Sequence, residues 1–121
     1  MLNKLYNEIQ KALKECHTSM DCAHIFSEEY ETETFEKTFT IEGIQVRCTY
    51  CFDNLGREGE TCSFTYKNDT YEVYANNLNC AGASKNKVKI GYLYLGEDAE
   101  VFMRDLFEIV LKAALRECIS K

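Results

Sequence analysis

From Thr34 to Phe52 the apolar residues keep to alternate positions. Phe35, Phe39 and Ile41 alternate with Thr34, Glu36, Thr38 and Thr40. Ile44, Val46, Cys48, Tyr50 and Phe52 alternate with Gln45, Arg47, Thr49 and Cys51. A period of two puts one row of side chains on each face of a strand, so it marks a sheet with one packed face and one wetter face. At both ends of the chain the period lengthens to three and four. Leu2, Leu5, Ile9, Ala12, Leu13 and Cys16 form a single apolar stripe, with Asn3, Lys4, Lys11 and Glu15 between them. Such a helix lies on a surface and is not buried all round. A change of period from 3.6 to 2 and back restricts the chain to helices packed on a sheet.

The rest of the chain fills in that plan. Glu42-Gly43 joins the first two strands as a tight hairpin, because glycine tolerates positive φ. Residues 53–60, with Gly56 and Gly59, read as a loop. Cys62, Phe64 and Tyr66 form a third strand, and Asn68-Asp69 turns into a fourth through Tyr71, Val73 and Ala75, with Glu72 and Tyr74 on its other side. Residues 76–86 read as a polar loop, and Val88, Ile90, Tyr92 and Tyr94 as a fifth strand. Gly96-Glu97-Asp98 opens the last helix, whose broad apolar set runs from Val101 and Phe102 through Phe107, Leu111 and Leu115 to Ile119. A short extra helix, capped by Ser19 or Asp21, follows the first. The expected architecture is a single α+β domain spanning residues 1–121. It comprises an N-terminal helix, a five-stranded antiparallel meander and a long C-terminal helix, with both helices on one face of the sheet.

Charge narrows the class of partner. The formal net charge is −6 and the sequence pI is about 5.0. That balance opposes direct binding to nucleic acid or anionic membrane and suits a protein partner with a basic surface. No run is long and apolar enough to span a bilayer, and the N-terminus lacks an apolar signal core, so the expected location is the cytoplasm. Seven cysteines, an odd number, in a reducing compartment are expected to be free thiols, most of them small buried hydrophobes.

Four groups of residues are candidates for function. Glu28, Glu29, Glu31, Glu33 and Glu36 fall within nine residues. On an extended chain, alternate members stand about 6.6 Å apart, a spacing comparable to a phosphate ladder, and so fit a basic groove. The plain alternative is a solvated strand kept charged against aggregation. Asn76, Asn77, Asn79, Lys85 and Lys87, with Arg57 from the preceding loop, offer a small polar pocket for an anionic or nucleotide-like ligand. The alternative is an ordinary polar loop. Cys16, His17, Cys22 and His24 offer zinc-compatible atoms but match no standard spacing, so no metal is expected. Cys48 and Cys51 form a CxxC pair inside an alternating strand, which sends the two thiols to opposite faces. There is no nucleophile elbow, P-loop or dinucleotide fingerprint, so an enzyme and a cofactor are not expected.

The order of elements resembles that of type III secretion chaperone-like proteins, over the whole chain but with no matched residues. It lacks the helix that often interrupts their sheet. That resemblance implies a dimeric chaperone or adaptor, with a homodimer formed through the C-terminal helix. The residues favour a different reading: a non-catalytic acidic binding protein that inhibits a basic nucleic-acid-handling protein stoichiometrically, of the immunity or anti-defence (anti-CRISPR) kind. A sequestering protein for a nucleotide-like ligand is the third reading.

Overall fold

A computed structural model describes residues 2–20 and 32–119 of the chain. The elements are α1 (Leu2–Met20), β1 (Thr32–Ile41), β2 (Ile44–Asp53), β3 (Glu58–Tyr66), β4 (Asp69–Asn76), β5 (Cys80–Lys85), β6 (Val88–Tyr94) and α2 (Met103–Ile119). The strands pair in sequence order, each antiparallel to the next, in one open sheet edged by β1 and β6.

The sheet has six strands where the sequence suggests five. The missed strand, β5, lies inside the segment expected to be a polar loop. Its Cys80-Ala81-Gly82-Ala83-Ser84 run has no bulky residues to show alternation, yet Ala81 and Ala83 are buried. Small residues are needed there because α2 packs closely: a Cβ on the neighbouring Gly91 would lie 3.6 Å from Ala113 Cβ.

The strands are joined by tight turns. Glu42-Gly43, Lys67-Asn68 and Asn86-Lys87 each place two successive residues at positive φ, between 49° and 83°. These are two-residue type I′ turns, whose twist matches that of the strands they connect. Only one of the six positions is glycine; the others accept left-handed strain to make the turn.

Both helices cover the same face. α1 packs on β1 and β2, and α2 mainly on β4, β5 and β6. The α1 stripe is buried as its spacing predicts, at Leu5, Ile9, Ala12, Leu13 and Cys16. The helix continues through His17 to Met20, so Ser19 lies inside α1 and does not cap a second helix; residues 21–31, where the further short helix is expected, lie outside the described residues. α2 begins at Met103, later than the acidic residues suggest. The Gly96 and Ala99 carbonyls accept hydrogen bonds from the Asn79 side chain and form a turn instead. Phe107, Leu111 and Leu115 are consumed by the core. Ile109 and Ile119 of the same helix stay exposed. Neither described helix is long and apolar enough to cross a membrane.

Candidate functional site

Three connections converge where β2, β4 and β6 end, and asparagine side chains tie them together. Asn77 Oδ1 accepts from the Glu58 amide at 2.9 Å, and Asn77 Nδ2 donates to the Gly56 carbonyl at 2.7 Å. Asn76 Oδ1 accepts from the Leu78 amide at 3.0 Å. Asn79, buried and at φ 63°, donates to the carbonyls of Gly96 and Ala99 at 2.7 and 2.9 Å. Within the β2–β3 loop, Asp53 accepts from the Leu55 and Arg57 amides and from Arg57 Nε. Burial pushes the Asp53 carboxyl up, but those hydrogen bonds and the Arg57 charge together hold it below its ordinary value.

Polar groups are thus used up inside the loops, and apolar side chains are left outside. Leu55 is 68% exposed and Phe102 77%, with Leu78 and Leu95 about half exposed. Glu97, Asp98 and Glu100 lie on the turn between Leu95 and Phe102, all exposed. These exposed apolar side chains stand on three connections that meet at one end of the sheet, with the three carboxylates on the last of them.

The outer face of the sheet continues this surface. Tyr74, Tyr92 and Tyr94 project from it, all exposed. Tyr74 lies flat over Gly82, where a Cβ would come within 2.6 Å of the ring. Cys80 Sγ sits between the Tyr74 and Tyr92 hydroxyls, at 3.8 and 3.6 Å. Burial and then the Cys80 hydrogen bond raise the Tyr74 hydroxyl; for Tyr92 the Cys80 hydrogen bond is the leading cause. Two clefts share Tyr92 as a wall. One, of about 180 Å³, is also lined by Tyr74, Gly82 and Lys89; the other, of about 260 Å³, by Asn76, Leu78, Cys80, Tyr94 and Glu97.

Beneath the sheet, a polar knot joins the two helices. Glu60 on β3 is fully buried. Its Oε2 lies 3.2 Å from His17 Nε2 and 3.4 Å from Arg104 Nη1, while Oε1 has no hydrogen-bond partner. Arg104 Nη2 also donates to Gln10 Oε1 at 2.7 Å. The His17 ring stacks on Tyr50 with centroids 3.8 Å apart, and the Tyr50 hydroxyl donates to Glu58 Oε1 at 2.6 Å. Burial first, then Glu58, raise the Tyr50 hydroxyl.

The residues singled out from the sequence are dispersed. Arg57, Asn76, Asn77 and Asn79 share the loop end. Lys85 and Lys87 lie at the opposite end of β5, about 17 Å away at a strand's rise per residue. There Lys85 pairs with Asp69 and Glu117, and Lys87 with Glu72. Of the acidic run, Glu28, Glu29 and Glu31 lie outside the described residues. Glu33 and Glu36 project on opposite sides of β1, and Glu36 pairs with Arg47 at 2.7 Å. Cys16 is buried and His17 contacts Glu60; Cys22 and His24 lie outside the described residues. Cys48 is buried and Cys51 faces the outer side, as their spacing requires. Among the described residues, no group of three potential metal ligands comes together.

Sequence reasoning missed Tyr92, Tyr94 and Glu97 as surface residues. Val88, Ile90, Tyr92 and Tyr94 read as one alternating row. A bulge opposite Ala83 and Ser84 inserts an extra residue at Ile90, so Ile90, Gly91 and Leu93 turn inward and the tyrosines outward. Compared with protein-family models, curated proteins and solved structures, the chain matches none.

Proposed function

We propose that this chain is a non-catalytic acidic binding protein that docks its loop end on a basic protein surface, as a stoichiometric inhibitor of a nucleic-acid-handling protein. The observation that carries the reading is the exposure of Leu55, Leu78, Leu95 and Phe102 on the three connections at one sheet end, with Glu97, Asp98 and Glu100 on the last of them. Interfaces concentrate their energy in a few apolar and aromatic anchors, and charge around them sets encounter rate and partner choice. A chain of net charge −6 is attracted to a basic partner at long range, and the leucines and Phe102 then supply the short-range contact.

The test is photo-crosslinking in host lysate from position 78 or 102, with position 38 as control. The reading expects one basic protein, crosslinked from 78 and 102 but not from 38. It also expects capture to be lost when Glu97, Asp98 and Glu100 are all changed to lysine, and to weaken as salt is raised. Equal crosslinking from position 38, or an acidic captured protein, overturns the reading.

A further inference from the structure

Tyr92 is shared by two clefts, and its ring already holds one cation of the chain. On the β5–β6 side, Lys89 Nζ lies 4.4 Å from the centre of the Tyr92 ring. That is a cation held by an aromatic face, an interaction that gains strength where water is partly excluded. The second cleft has the same wall and adds to it. Tyr94 supplies another ring, Glu97 a carboxylate, Leu78 an apolar side and Asn76 a polar edge. Among the described residues no lysine or arginine lines this cleft, and Glu97 has no ion pair. One cleft has lysines in its wall, Lys87 and Lys89; its neighbour has a carboxylate there and no cation.

We infer that the cleft between Tyr92, Tyr94 and Glu97 receives an arginine side chain from the protein partner; this rests on the proposed docking of the loop end. Arginine fits better than lysine. Its planar guanidinium stacks on a tyrosine ring and directs its N–H groups in a fork at a carboxylate, whereas lysine offers a compact, strongly hydrated charge. The volume of about 260 Å³ admits one such side chain and leaves no room for a folded peptide. Leu78 then covers its aliphatic stem.

The experiment is a titration of the whole protein with N-acetyl-arginine methylamide, followed by amide NMR. The lysine and citrulline analogues are run in parallel. Saturable shifts are expected at Asn76, Leu78, Tyr94 and Glu97, larger at equal concentration for arginine than for lysine and absent for citrulline. Glu97→Gln and Tyr94→Ala each weaken arginine binding about three- to fivefold, and both variants keep the wild-type fold because both side chains are exposed. No saturable shift, an equal response to citrulline, or wild-type affinity in both variants overturns the assignment. Failure here, with photo-crosslinking from position 78 intact, removes the arginine cleft and leaves the docking reading standing. Arginine binding without any crosslinked partner does the reverse.

Discussion

The outer face of the sheet carries Thr34, Thr38, Thr40, Thr49, Thr61, Ser63 and Thr65 on β1 to β3, and Tyr74, Tyr92 and Tyr94 on β4 to β6. Both halves are antiparallel strands paired in sequence order, with a bulge only on the β5–β6 side, but the side chains behave differently. On the threonine half, short hydroxyls satisfy one another across the strands, as Thr49 does with Thr61, and Glu36 is answered by Arg47. Little apolar area is offered to a partner. On the tyrosine half, large amphipathic rings stand partly exposed, Tyr74 of them packed over Gly82. Such rings give much contact area with few rotatable bonds, which is why they anchor interfaces. Position on an exposed sheet face therefore does not make a surface functional; the size and polarity of what stands on it do.

Several changes would break or sharpen that contrast. The largest effect lies beneath both halves. Arg104→Met leaves the fully buried Glu60 carboxylate with His17 alone, and is expected to cost about 3 kcal/mol. Chemical denaturation should show one transition moved to lower denaturant, with both halves lost together. Gly82→Ala comes next. The added methyl strikes the Tyr74 ring, so the ring must lift, at about 1.5 kcal/mol. Gly59→Ala, also on the outer face but between the two halves, meets only Cys51 Sγ at an ordinary 3.5 Å and Ala75 O at 3.7 Å. It should be close to neutral in the same denaturation.

That pair shows where the sequence was readable. The α1 stripe, the alternation in β1 to β4 and the Glu42-Gly43 turn follow from period and glycine chemistry, and the structure contains them. Three things were hidden. β5 is built of residues too small to show a period. The bulge at Ile90 reverses which of the β6 residues face outward, and a bulge leaves no mark in composition. Glu60 continues the buried row of Cys62 and Phe64, but a carboxylate there reads as loop until His17 and Arg104 are brought to it from two helices. The loop-end site was half visible. Asn76, Asn77 and Asn79 are legible as polar loop residues, but the backbone groups their amides hold, and the exposed leucines nearby, belong to three separate loops.

A smaller effect sharpens the picture at the turns. Lys87→Gly relieves a left-handed lysine in a type I′ turn and should stabilise the protein by about 1 kcal/mol, read as a higher Tm. The smallest effect is local and depends on pH. The Asp53 carboxyl is held below its ordinary value in the folded protein, so its contribution is complete above that value and is lost as pH falls through the folded one. Protection of the Leu55 and Arg57 amides, relative to their intrinsic exchange at the same pH, should fall below about pH 4 before that of the threonine half.

The contrast between the halves is tested most directly by the affinity of the crosslinked partner for two variants, Leu78→Asp and Thr38→Asp, measured side by side. Both add one charge to an exposed position. Leu78→Asp should weaken binding at least about tenfold and Thr38→Asp by less than about twofold, consistent with an anchor and a bystander. Equal losses, or a greater loss at Thr38, would contradict the placement of the contact surface on the tyrosine half and its loop end.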